Sequence, residues 1–101
     1  MPSSRKQPLP IEAVRDLLGI ARALYASEKA AGAGQRKLAQ LAAAGRDLTD
    51  ALELARSTEP DTVGHRAAWA KAERALDRLA DHVNSTTELA QLAAAGRRVR
   101  G

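Results

Sequence analysis

Apolar residues recur at alternating three- and four-residue steps along most of this chain, which is the period of an amphipathic α-helix. The first run has apolar positions at Ile11, Val14, Leu18, Ala21 and Tyr25. Pro8 and Pro10 precede this run, and the "AGAG" segment after it supplies the glycine that favours a helix C-terminus. The pattern predicts a first helix over about residues 10–31.

Three further segments show the same period. A helix predicted over about residues 35–57 has its stripe at Leu38, Leu41, Gly45, Leu48, Leu52 and Ala55. A third, over about residues 60–83, has His65, Trp69, Ala72, Leu76, Leu79 and Val83 on one face. A fourth, over about residues 86–98, has Leu89, Leu92, Gly96 and Val99. Ser85 with Glu88 three residues later has the form of a capping box, which indicates where the fourth helix starts.

Four amphipathic helices joined by short connections predict an all-α fold, an antiparallel four-helix bundle. A chain of 101 residues is long enough for one such domain with a single core. We place the bundle at residues 10–97. A flexible basic N-terminal arm is expected over residues 1–9, and a basic C-terminal tail over residues 98–101.

The phrase "LAQLAAAGR" occurs twice, at residues 38–46 and again at residues 89–97. The two copies are 51 residues apart, and adding 51 to the first stripe places four of its five positions on the third. This match favours a duplicated helical hairpin, with convergence between alanine-rich helices as the alternative. Gly45 lies inside a helix, where glycine costs about 1 kcal/mol relative to alanine, so we expect it at a close helix crossing. Gly96 occupies the equivalent position, where a helix C-cap is an equal alternative.

The net charge of +4 is concentrated at the two ends of the chain. Five of the 16 basic residues lie near the ends: Arg5, Lys6, Arg97, Arg98 and Arg100. The remaining 11 basic residues are balanced by 12 acidic ones, so the body is close to neutral. We therefore expect contact with a polyanion or an acidic partner to involve these five residues.

No group of residues indicates a reaction. The chain has no cysteine, and neither His65 nor His82 has a glutamate three residues before it, as a di-iron bundle requires. We predict no enzyme activity, no catalytic, cofactor or metal site, and no small-molecule substrate. His65 is interpreted as structural, with one ring nitrogen bonded locally and one in water, in preference to a phospho-acceptor.

The chain shows neither a secretory leader nor an apolar stretch long enough for a bilayer, which predicts a cytoplasmic protein without membrane contact.

The first helix carries a second apolar stripe at Leu17, Ile20 and Leu24. One face of a helix does not easily bury both stripes, which favours a homodimer or a helical protein partner; the alternative is a wide stripe covered by neighbouring helices. The predicted function is a non-enzymatic helical interaction module that acts as an adaptor, subunit or inhibitor. The alternative is a nucleic-acid-associated accessory protein that uses its basic tails.

Overall fold

The computed structural model describes residues 7–83 and 85–100. Four helices account for most of these residues: α1 (Ile11–Ala30), α2 (Gln35–Ser57), α3 (Val63–Ala80) and α4 (Thr86–Arg100). No strand occurs within the described ranges. The predicted all-α fold with four helices is confirmed.

Local capping explains where two of the helices begin. The Thr62 hydroxyl accepts the His65 backbone N–H at 3.3 Å, so α3 begins at Val63, three residues after the predicted start. The Ser85 hydroxyl accepts the Glu88 backbone N–H at 3.1 Å, which is the capping interaction predicted from the sequence. Side-chain oxygens thus satisfy amide donors that the first turn of a helix leaves without partners.

Contacts between charged and polar side chains define the direction of α3 relative to α2. Arg78, near the end of α3, donates to the Gln40 side chain near the start of α2 at 3.0 Å. Lys71, about two turns earlier in α3, lies 3.7 Å from Asp50, further along α2. Later positions in α2 therefore contact earlier positions in α3, so the two helices are antiparallel.

Helix α4 closes the bundle by lying against both α1 and α3. Arg98 in its last turn reaches Asp16 near the start of α1 at 3.1 Å, and Arg100 reaches Asp77 near the end of α3. The four helices therefore form a ring in the order α1, α2, α3, α4, with α4 less extensively packed than α2.

The core consists mainly of leucines and alanines from all four helices, joined by Trp69, Val14, Ile20 and Val99, and by Leu9 from the segment before α1. Buried positions of α1 and α3 follow the 51-residue offset seen in the sequence, as in the pairs Val14 with His65 and Leu18 with Trp69. Any two helices of a bundle share this period, so duplication of a hairpin stays a prediction.

The structure corrects the prediction of an exposed second stripe on α1. Leu17, Ile20 and Leu24 are all buried within the single chain, with Ile20 the most accessible at 9 %. Helix α1 contacts α2 and α4 and also approaches α3, so its neighbours cover a wide face. This stripe is core, and it offers no surface on which a homodimer could form.

The predicted C-terminal tail is also corrected, because α4 continues through Arg100. Val99 is buried in the core, and Arg98 and Arg100 make the ion pairs described above. The apolar position at Val99 keeps the last turn attached to the bundle. Gly101 lies outside the described residues.

A chain that stops after Arg97 is expected to lose about 1.5 kcal/mol of unfolding free energy, because the buried Val99 side chain is removed. The two exposed ion pairs add little to this loss. Chemical denaturation checks the value, with Arg98→Ala combined with Arg100→Ala as a control that removes the ion pairs, keeps Val99 and should change the midpoint little. An unchanged midpoint for the C-terminal truncation would contradict the packing of Val99.

Candidate docking grooves

His65 is a structural residue with both ring nitrogens engaged. Its side chain is only 1 % exposed. The Leu9 backbone N–H donates to Nε2 at 2.9 Å, and Nδ1 lies 3.1 Å from the Thr58 hydroxyl. A backbone amide can only donate, so Nε2 is the acceptor and Nδ1 carries the proton. The prediction of one nitrogen in water is wrong, because the chain before α1 folds back over this ring.

The N-terminal arm is therefore held in place at its last residue. Leu9 is 2 % exposed and belongs to the core, whereas Gln7 and Pro8 are exposed. The prediction of a flexible arm over residues 1–9 is wrong at Leu9, because its burial and its bond to His65 fix the backbone. Arg5 and Lys6 lie outside the described residues.

The basic residues near the C-terminus do not form one charged cluster. Arg98 and Arg100 are engaged by Asp16 and Asp77, while Arg97 is exposed and makes no ion pair within the described ranges. Of these three arginines, therefore, only Arg97 has no ion pair among the described residues and could contact a nucleic acid without breaking one.

Across residues 7–83 and 85–100, no three histidine, aspartate or glutamate side chains are grouped to hold a metal ion. Within those residues, every helix is too short or too polar to cross a membrane.

A surface groove runs between α1 and α2. Its apolar end has a volume of about 240 Å³ and is lined by Ala21, Arg22, Tyr25, Leu41, Ala42 and Gly45. It continues into a space of about 390 Å³ lined by Leu18, Arg22, Ala42, Gly45, Arg46, Thr49 and Asp50. Both parts share Ala42 and Gly45, so small residues of α2 form the middle of the floor. We call this surface the first groove.

Gly45 is at the centre of the first groove and not at a close helix crossing as predicted. A Cβ atom built on Gly45 would meet no heavy atom within 4 Å. The prediction is wrong because α1 passes beside this position without covering it, although Tyr25 lines the same groove. Packing within the chain therefore does not require a glycine here.

Two arginines flank the first groove. Arg22 projects from α1 and Arg46 from α2, and both are exposed. Neither forms an ion pair with any residue that the structure describes. The one carboxylate in the lining, Asp50, already lies 3.7 Å from Lys71. The rim therefore carries two arginines that form no ion pair among the described residues.

A second groove lies between α3 and α4, with a volume of about 370 Å³. Its lining is Leu76, Asp77, Ala80, Leu89, Leu92, Ala93, Gly96, Arg97 and Arg100. Leu89 is 53 % exposed at one end of it. Gly96 is at the close crossing that was predicted for this type of position, because a Cβ there would lie 3.2 Å from Leu76 Cδ2. Since α4 continues to Arg100, Gly96 is not a C-cap.

A third groove, of about 480 Å³, lies between α1 and α4. Asp16 and Arg98, which line it from opposite sides, form an ion pair with each other. Arg15 also lines it and makes no ion pair among the described residues, so this groove has one arginine without a carboxylate partner where the first groove has two, which makes it a weaker candidate.

The sequence interpretation missed the first groove. It placed Gly45 on the buried stripe of α2, whereas the structure buries the adjacent Ala44 and leaves Gly45 half-buried. The repeated phrase did contain a signal. Gly45 and Arg46 follow Ala42 by three and four residues, so these three residues share one face of α2, next to its buried face.

Comparisons with protein-family models, with curated proteins and with solved structures find no match to this chain.

Proposed function

We propose that the protein is a non-enzymatic helical interaction module, which binds an acidic amphipathic helix of a protein partner in the first groove. The observation that carries this proposal is Gly45, a glycine inside a long helix with open space above it. An adaptor, a subunit or an inhibitor would use such a surface in the same way.

A glycine in the middle of α2 costs about 1 kcal/mol relative to alanine. No contact within the described chain offsets this cost, because a Cβ would have free space. Close approach of a second helix does offset it, since the absence of side-chain atoms allows two backbones to pack at the short end of the usual interaxial range.

The dimensions of the first groove fit a helix. Its α2 side extends from Leu41 to Asp50, which at 1.5 Å per residue is about 14 Å, or between two and three helical turns. Half-buried Tyr25 and Ala42 supply accessible apolar surface, and the buried Leu18 and Leu41 lie beneath it. A partner helix with apolar residues at i, i+3 or i+4, and i+7 can place all of them along this length.

The charge on the rim indicates an acidic partner. Arg22 and Arg46 have no carboxylate partner among the described residues, so glutamates flanking an apolar stripe would gain two pairings without displacing an existing one. Complementary charge also raises the association rate and rejects basic helices.

The test uses a synthetic amphipathic peptide of about 18 residues, long enough to form a helix on binding, with a leucine stripe flanked by glutamates. We expect a dissociation constant on the order of 100 µM, with amide NMR shifts at Ala42, Gly45 and Arg46. The matched control is the same peptide with lysine in place of glutamate, which should not bind.

Charge reversal tests whether the first groove is the site. Arg22→Glu combined with Arg46→Glu should weaken binding of the acidic peptide at least about tenfold, whereas Arg56→Glu should not. Arg56 is a suitable control because it is exposed on the same helix and lines no groove. Equal binding of the acidic and basic peptides, or no shift of the groove amides, would contradict the proposal.

A further inference from the structure

Sequence identity between the two hairpins is concentrated in the repeated phrase. All nine residues of 38–46 match residues 89–97 at the 51-residue offset. Over the residues before it, 11–37 against 62–88, only two pairs are identical: Arg15 with Arg66 and Ala21 with Ala72. If the hairpins arose by duplication, uniform divergence would not leave identity in this distribution, which favours a requirement specific to the phrase.

Core packing accounts for only a small part of this requirement. Of the nine pairs, only Leu41 with Leu92 and Ala44 with Ala95 are buried in both copies. The abundance of alanine in the chain explains several other matches. It does not explain why an exposed arginine ends both copies, at Arg46 and Arg97.

The phrase contributes the same four positions to two separate grooves. The residues in the first groove are Leu41, Ala42, Gly45 and Arg46. Their counterparts in the second groove are Leu92, Ala93, Gly96 and Arg97. Each groove thus has an apolar floor of small residues that ends at an arginine without an ion pair among the described residues.

We infer that the bundle binds two copies of the same acidic helix, one in each groove, and so joins two partner molecules. This inference rests on the proposed function and adds to it a second site with a related lining. It assigns the repeated phrase a role in recognition in addition to its role in packing.

The arrangement of the helices makes the two sites independent. In the ring of α1, α2, α3 and α4, the first and second grooves lie on opposite sides. The described part of the chain measures 42 × 23 × 18 Å, and the body of the bundle lies between the two grooves. Two helices from opposite directions are needed to fill both, which favours binding of two partner molecules.

The second groove has the chemistry that the same helix needs. Leu89 is half-exposed and lines the second groove with Ala93, so the end of this groove away from Arg97 has accessible apolar surface. Leu76 covers Gly96, so a helix would lie on the Leu76 side chain here and on the open glycine in the first groove. We therefore expect the second site to bind the same peptide more weakly.

Native mass spectrometry and calorimetry with the acidic peptide described above test this inference. We expect two peptides per wild-type chain, one for Arg46→Glu, one for Arg97→Glu, and none for the double variant. Arg56→Glu should retain two, and circular dichroism should show native helicity in every variant.

The outcomes separate the two proposals. One peptide per wild-type chain, lost in Arg46→Glu and unaffected by Arg97→Glu, would overturn the second site and leave the proposed function standing. No binding to the wild type would overturn the proposed function itself, and the inference with it. Two bound peptides that persist in the double variant would show that neither phrase recognises them.

Discussion

His65→Ala is expected to lower the free energy of unfolding by about 3 kcal/mol, which for a domain of this size lowers the melting temperature on the order of 15 °C. The substitution removes the acceptor of the Leu9 amide, which lies in a region where Leu9 is almost fully buried. It also opens a cavity at a ring that is 1 % exposed. Thermal and urea denaturation both measure the loss.

His65→Gln distinguishes the hydrogen bond from the packing. A glutamine amide oxygen can occupy the position of Nε2 and accept the Leu9 amide, so it should recover about half of the lost stability. Thr58→Val is a second comparison, since it removes the partner of Nδ1 together with the bond that the Thr58 hydroxyl donates to the Leu54 carbonyl, and leaves the Leu9 contact in place. Equal losses for alanine and glutamine would show that packing alone makes His65 important, and a loss under 1 kcal/mol for alanine would contradict the buried network.

The helices could be predicted from the sequence because amphipathic period is a local property of the chain. The starts of α2 and α4 agree with the prediction, as does the capping of α4 by Ser85. The start of α3 was harder to predict from the sequence, because Ser57, Thr58 and Thr62 are all suitable N-caps. The choice of Thr62 depends on the backbone between α2 and α3, where Asp61 adopts a positive φ of 66°.

The width of a buried face could not be predicted in the same way. Period alone shows that Leu17, Ile20 and Leu24 share one side of α1, but whether that side is covered depends on how many helices pack against it. Contacts from α2 and α4, with a minor approach of α3, cover both stripes. The same limit applied to His65, whose second partner, the Leu9 amide, is 56 residues away along the chain.

The candidate site shows this limit most clearly, since identical residues have different surroundings in the two copies of the phrase. Gly96 meets Leu76, whereas Gly45 meets nothing within 4 Å, although both follow the same seven residues. At the 51-residue offset, Tyr25 is the counterpart of Leu76 and lines the first groove without covering Gly45. The difference arises from the helix that packs against each copy, and the residues of the phrase alone do not predict how that helix packs.

The same substitution at these two glycines is therefore expected to have opposite effects. Gly96→Leu should destabilise the fold by about 1 to 3 kcal/mol, because its Cβ alone would lie 3.2 Å from Leu76 Cδ2. Gly45→Leu should leave stability unchanged or raise it by up to about 1 kcal/mol, since leucine favours a helix and the groove has room. Urea denaturation of the two variants measures both changes against one wild type.

Gly45→Leu also connects stability to function. The new side chain would occupy the centre of the first groove, so this variant should be at least as stable as the wild type and yet lose the peptide bound there. A matched Gly45→Ala variant adds only a methyl group and should show a similar stability with weaker binding, because the helix axes can no longer approach as closely. Destabilisation by Gly45→Leu similar to that by Gly96→Leu would mean that α1 closes over Gly45 in solution. Such a result would remove the first groove, and with it the observation on which the proposed interaction depends.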